Sequence, residues 1–106
     1  MSSPRLTALL EFLKEDPNDP FTLYAIATEY RQQDVAQALR YYEQLLDEHP
    51  RYVATYYHAA LLYVDLEQPE RAEETFKKGI AIAREQQEAL ALRELQNAYN
   101  EFLFEE

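Results

Sequence analysis

Apolar residues recur at three- and four-residue spacing along almost the whole chain, in segments separated by prolines and short polar stretches. Such spacing returns side chains to one face of a helix, so the pattern predicts helices. The period-two alternation that indicates half-buried strands is absent from the sequence. We therefore expect an all-α protein with about six helices.

Polar capping residues mark three helix starts, two of them followed by proline. They are Ser3-Pro4, Asp19-Pro20 and Asp34, and Gln37 completes a capping-box-like pair with Asp34. The first helix is predicted from Pro4 to about Glu15. The second should stop near Gln32 or Gln33, and the third should reach His49, because Pro50 prevents its continuation.

The second half of the chain is predicted to hold three more helices. One begins around Arg51 and is apolar on most of its surface, so we expect it to be sandwiched between other helices. Another opens at Pro69 after a polar turn. No proline follows, and we predict a break near residues 84–87 on grounds of helix length, after which the last helix folds back as a lid. One continuous helix is the alternative.

Two segments, 21–50 and 54–83, share one skeleton. Each first helix carries a large residue, a small one and tyrosine, each second helix a small residue followed by an aromatic one, and the period is roughly 34 residues. The matching positions are Leu23, Ala27, Tyr30, Ala38 and Tyr42, and then Tyr56, Ala60, Tyr63, Ala72, Phe76 and Gly79. Pro17 and Pro50 precede the two first helices. This pattern resembles the tetratricopeptide repeat family.

The resemblance implies a right-handed superhelical stack of antiparallel helix pairs, an α-solenoid, in a single domain spanning 1–106. Its parts would be a half-repeat helix at 4–16, repeats at 20–50 and 51–84, and a capping helix at 87–104. Four residues depart from the family pattern. One affects helix packing, two lie in turns, and the last suggests that the series of repeats ends there. They are Leu45 at a position for a small residue, Gln33 and Glu67 where glycine is usual, and Arg84 where proline would stand.

The resemblance also implies a function, because members of the family bind peptides or protein segments on a concave face lined by the first helix of each repeat. The family's groove positions, carried over to this chain, are Phe21, Tyr24, Thr28, Arg31, Arg51, Tyr52, Ala54, Tyr57, Leu61 and Asp65. A clamp on a peptide's terminal carboxylate is not expected, since Tyr24, Thr28 and His58 replace its polar residues. We expect Tyr30, Tyr42, Tyr56 and Tyr63 to serve packing.

A second hypothesis is a structural module that oligomerises through its C-terminal helix. Phe102, Leu103 and Phe104 would be exposed together if that helix did not fold back, and such a patch usually marks an interface. The alternative, which we favour, is that these residues close the open end of the core. The chain would then be a monomer or a weak homodimer.

Charge and composition narrow the classes of function. The formal net charge is −10, which argues against nucleic-acid binding, and the bases include only three lysines. Adaptation to high salt, ordinary solubility and a basic partner all remain consistent with this acidity. No segment has the length of a membrane span or the pattern of a secretion signal, so a cytoplasmic adaptor or scaffold is the expectation.

Residues for catalysis or metal binding are scarce. The chain has no cysteine, its two histidines are not in a metal-ligand motif, and its single glycine excludes the usual phosphate-binding loop. We therefore expect a non-enzymatic protein with no metal site and no cofactor.

Overall fold

The computed structural model describes residues 3–105 and contains six α-helices, with no strand among those residues. They are α1 (Pro4–Glu15), α2 (Pro20–Tyr30), α3 (Val35–Glu48), α4 (Ala54–Asp65), α5 (Pro69–Glu85) and α6 (Ala89–Glu105). The predicted all-α fold is confirmed. The chain divides into two compact units at Tyr52, which leaves the single-domain organisation a prediction.

The first unit holds α1 to α3, with α2 packed against both of the others. Its helix starts follow the predicted signals: the side chains of Ser3, Asp19 and Asp34 accept hydrogen bonds from the backbone N–H three residues later. The N–H of Asp34 donates to the carbonyl of Tyr30, not to Gln37 as a capping box would require. The fully buried core side chains of the first unit are Leu6, Leu23, Ile26, Ala27, Ala38, Tyr42 and Leu45.

The second unit holds α4 to α6. The α4 helix packs against α5 and α6, and half of its twelve residues are buried, as expected for a sandwiched helix. The α5–α4 crossing is close because Gly79 has no side chain: a Cβ there would lie 2.5 Å from Tyr56 Cβ. The Phe102 ring packs 5.7 Å from Phe76, so the end of α6 covers the core.

Two predicted helix bounds are wrong. The α2 helix ends at Tyr30, before Gln32, because the N–H groups of Gln33 and Asp34 both turn back to the Tyr30 carbonyl. The α4 helix begins at Ala54, not around Arg51, because the chain after Pro50 first makes a turn in which Tyr52 N–H donates to the His49 carbonyl.

The α4–α5 and α5–α6 connections end their helices in the same way. Glu67 and Gln87 adopt the left-handed conformation, each with φ of 59°. The next residue then donates its N–H back to the carbonyl of Tyr63 or Ala83, which is the Schellman arrangement. The last two helices are therefore separate, and the alternative of one continuous helix is wrong.

Candidate functional site

An aromatic surface lies on α2 and on the segment that follows α3, within the first unit. Phe21 is 61% exposed although it is a large apolar side chain. One turn further along, half-buried Tyr24 packs against half-buried Tyr52, with ring centroids 5.8 Å apart and planes tilted by 60°. We call Phe21, Tyr24 and Tyr52 the aromatic surface. It offers flat apolar contact area together with phenol hydroxyls.

A shallow pocket of about 420 Å³ adjoins this surface. Its lining includes Pro20 and the consecutive residues Glu48, His49, Pro50, Arg51 and Tyr52. The His49 ring is held at its edge, because His49 Nε2 lies 3.0 Å from Asn18 Oδ1. Pro20 and His49 were not among the predicted site residues. They could have been predicted from the two prolines at the helix junctions. Pro20 starts α2 and Pro50 follows the end of α3, and both line the pocket with Tyr52.

The polar end of α2 is organised around the buried Tyr42 hydroxyl. Thr28 Oγ1 lies 3.1 Å from Tyr42 Oη and also donates to the carbonyl of Tyr24 at 2.9 Å. Burial raises the pKa of Tyr42, while its hydrogen bond to Thr28 and the positive charge of Arg31 oppose that shift. Thr28 and Arg31, both predicted as groove residues, are therefore anchored at least in part by the core of their own unit.

The second set of predicted groove residues lies on α4, in the second unit. Tyr57, Leu61 and Asp65 are four residues apart and so share one helical face, and Tyr57 and Leu61 are half-buried. The Tyr57 ring makes an edge contact with His58 at 5.3 Å between centroids. Ala54 is the first residue of the helix. That the residues on α2 and α4 line one groove stays a prediction.

The tyrosines predicted to serve packing differ in their surroundings from those predicted for binding. Tyr42, Tyr56 and Tyr63 are buried, as predicted, whereas Tyr30 is only half-buried and stacks on Tyr41. Tyr41 is itself buried, and the repeat pattern gave no reason to single it out. Burial raises the pKa of Tyr52 and Tyr56 above the ordinary value of 10.0.

The three predicted interface residues of the C-terminal helix have different environments. Phe102 is 8% exposed and stacks on Tyr99, so it belongs to the core, as the favoured interpretation required. Leu103 and Phe104 are 47% and 93% exposed. The favoured interpretation that all three residues close the open end of the core is therefore wrong for Leu103 and Phe104, because consecutive residues of a helix face different directions. Nor do the three residues form one exposed patch.

The part of the chain from residue 3 to residue 105 contains no cluster of three or more histidine, aspartate or glutamate side chains placed to hold a metal ion. None of its helices combines the length and the apolar character needed to cross a bilayer.

A family model described as tetratricopeptide repeat matches residues 29–95, which is more than half of the chain. The chain belongs to the tetratricopeptide repeat family. Repeats of this family are generally protein–protein interaction modules and are generally non-catalytic. The match begins near the end of α2 and ends in α6, so it includes all of α3, α4 and α5 but only the last two residues of α2.

Solved structures agree with this assignment. The crystal structure of a tetratricopeptide repeat domain protein from Salinibacter ruber is 40% identical and has a TM-score of 0.80, with 84% of this chain and 100% of that chain covered. A solution structure with the same description from Salinibacter ruber is 42% identical, with a TM-score of 0.77 and coverage of 82% and 89%.

A more distant structure shares only the fold. A protein from Bordetella parapertussis is 17% identical with a TM-score of 0.81, and 99% of this chain and 91% of that chain are covered. Among curated proteins, none matches the chain.

Proposed function

We propose that this tetratricopeptide repeat protein is a non-catalytic interaction module that binds a peptide or protein segment on its aromatic surface. The observation that carries the proposal is the exposure of Phe21 beside the half-buried pair of Tyr24 and Tyr52. Monomeric proteins seldom leave large aromatic side chains together at the surface without a role in binding. Tyrosine and phenylalanine also supply large contact areas at low cost in side-chain entropy.

The surroundings of the aromatic surface favour a segment with an apolar anchor. The pocket between Pro20 and Pro50 has room for an apolar side chain. Its lining includes both the carboxylate of Glu48 and the guanidinium of Arg51, so it does not select the sign of the charge beside that anchor.

The test is selection of phage-displayed random peptides on the full-length protein, followed by affinity measurements on the enriched peptides. We expect Tyr24→Ala and Phe21→Ala to weaken binding about tenfold or more, which is the usual effect of removing an aromatic anchor. Phe12→Ala is the matched control for Phe21→Ala, because Phe12 lies on α1 and is 60% exposed.

Equal loss in the Phe12 and Phe21 variants would reject the assignment, as would full binding by both Tyr24→Ala and Phe21→Ala. Tyr57→Ala extends the test to the α4 residues. Loss of binding in that variant as well would support the groove that the family resemblance predicts, provided that circular dichroism shows an unchanged helix content.

A further inference from the structure

A second candidate binding surface lies within the unit formed by α4, α5 and α6. Two adjoining pockets of about 340 and 230 Å³ share Pro69 and Phe102 and so form one groove. We call it the turn groove. Its walls are the α4–α5 turn, the first turn of α5 and the last turns of α6, and its lining includes Val64, Glu67, Pro69, Glu70, Phe102 and Leu103.

The floor of the turn groove is apolar and fixed in position. The Phe102 ring is packed against the rings of Phe76 and Tyr99, at 5.7 and 6.3 Å between centroids. Pro69 contributes a rigid ring, and about half of Leu103 remains accessible at the edge. A partner's apolar side chain placed here would be removed from water without any rearrangement of the floor.

The rim of the turn groove is acidic. Among the described residues that line it, Glu67, Glu70 and Glu73 carry carboxylates and none is basic. Glu73 already accepts a hydrogen bond from the Tyr99 hydroxyl at 2.9 Å and pairs with Lys77 at 3.9 Å. Because Glu73 already has these two partners, the negative charge at the rim of the groove comes mainly from Glu67 and Glu70.

Glu67 occupies its position at a cost to the backbone. Its φ of 59° lies in the left-handed region that glycine adopts without steric conflict, and the turn uses that conformation to close the end of α4. The chain thus places a carboxylate at the mouth of the groove where glycine would fold more easily. Strained residues of this kind are often found at functional sites.

We propose that the turn groove docks a partner segment that has one large apolar side chain flanked by lysine or arginine. The apolar floor fits the anchor, and the carboxylates of Glu67 and Glu70 complement the flanking cations. A second copy of this chain fits poorly by charge, because each copy carries a net charge of −10 and the two would repel. The turn groove shares no residue with the aromatic surface, so either proposal can fail alone.

The first experiment uses two fluorescein-labelled hexapeptides and the full-length protein. One peptide carries Leu-Phe between two pairs of lysines, and the other carries Ser-Ser in place of Leu-Phe with the same charge. We expect the apolar peptide to bind about tenfold more tightly by fluorescence anisotropy, since burying one large apolar side chain has an effect of at least that size. Equal affinities would mean that only the net charge attracts the peptides and would overturn the proposal.

The second experiment locates the site with matched variants. Leu103→Ser should weaken the apolar peptide severalfold, whereas Leu90→Ser, a change at an exposed leucine near the start of the same helix, should not. The double variant Glu67→Gln and Glu70→Gln should also weaken binding. Its control, Glu15→Gln with Asp47→Asn, removes two exposed charges from the other unit.

Equal effects of the groove variants and their controls would overturn the proposal. So would sedimentation equilibrium that finds a dimer of the unmodified protein which Leu103→Ser dissociates, because a second copy would then occupy the turn groove. Circular dichroism on each variant verifies that the fold is intact, so that a loss of affinity reports on the groove itself.

Discussion

The first helices of the two repeats, α2 and α4, begin in different ways although they occupy the same place in the repeat. In α2 the Asp19 carboxylate accepts hydrogen bonds from both the N–H and the hydroxyl of Thr22, at 2.9 and 2.7 Å. In α4 the equivalent threonine is Thr55, and the position of Asp19 is taken by Tyr52. Thr55 Oγ1 is fully buried and forms no hydrogen bond with the residues that the structure describes.

The helix pairs differ at their crossing as well. The eleventh residue of the second helix is Leu45 in the first repeat and Gly79 in the second, and both are buried. The partner helix has the reverse arrangement, with the smaller Leu23 in the first repeat and the larger Tyr56 in the second. Volume is thus exchanged between the two helices of a pair, and the larger Tyr56 fits in the second repeat because Gly79 has no side chain.

The comparison teaches that the repeat conserves an arrangement of helices without conserving the interactions that stabilise each copy. The first repeat relies on a capped helix start. The second relies on a close helix crossing and carries an unpaired hydroxyl. Because Tyr52 replaces the capping aspartate, its ring is available to pack on Tyr24 at the aromatic surface. Substitutions at the equivalent positions should therefore have different, and in one case opposite, effects on stability.

The largest effect is expected at the close crossing. Gly79→Ala should destabilise the protein by about 1–3 kcal/mol, because the new Cβ would meet Tyr56 Cβ at the root of its side chain, where rotation cannot relieve the overlap. This sign opposes intrinsic helix propensity, by which alanine is favoured over glycine by about 1 kcal/mol. Urea denaturation measures the change. Lys78→Ala, on the exposed side of the same helix, is the control and should have little effect.

The helix start of α2 should be the next most sensitive feature, and its contribution should depend on pH. The hydrogen bonds from Thr22 lower the pKa of Asp19 from its usual value near 3.8. A carboxyl group whose pKa is lower in the folded state stabilises the protein above the unfolded value, and this stabilisation is lost as the pH falls through the folded value.

Asp19→Ala should therefore lower the melting temperature by a few degrees at pH 7 and by less at pH 3. Asp19→Asn keeps a side chain that can cap the helix, so it should retain most of the stability at pH 7. Equal losses for the alanine variant at both values of pH would contradict the role of the ionised carboxylate.

The buried hydroxyl of the second repeat predicts a stabilising substitution. Thr55→Val removes a buried polar group that has no partner while keeping the shape of the side chain, and should raise the free energy of unfolding by about 1 kcal/mol. The equivalent change in the first repeat, Thr22→Val, should destabilise, because it removes a donor to Asp19. Denaturation of the two variants under the same conditions tests the difference, and the same sign in both would refute it.

The helix count and most helix starts were predictable because their causes are local. Proline at the first helical position and a polar cap act within three residues, and both can be read from Ser3-Pro4 and Asp19-Pro20. The start of α4 was predicted wrongly because this local signal is missing there. Val53 precedes the helix, and its side chain forms no capping hydrogen bond.

Binding surfaces were less accessible to sequence reasoning, because they depend on which side chains remain exposed after packing. The family resemblance named Phe21, Tyr24 and Tyr52 as groove positions, but the exposure of Phe21 and the contact between the Tyr24 and Tyr52 rings came only from the structure. The turn groove was missed because it joins the α4–α5 turn to residues more than thirty positions later in α6. The sequence did signal parts of it: Glu67 stands where glycine is usual, and Phe102 and Leu103 were singled out as a possible oligomer interface.

The smallest expected effect concerns that residue and links stability to binding. Glu67→Gly should stabilise the protein by up to about 1 kcal/mol, because glycine adopts the left-handed conformation without the steric cost that a Cβ brings. It should also weaken the binding of the lysine-flanked apolar peptide. Gln87→Gly is the matched control: it relieves the same conformation at the end of α5 but lies outside the residues that line the turn groove, so stability should rise without a change in affinity. If both variants gained stability and both kept full affinity for the peptide, Glu67 would have no part in docking, and its presence in a strained turn would need another cause.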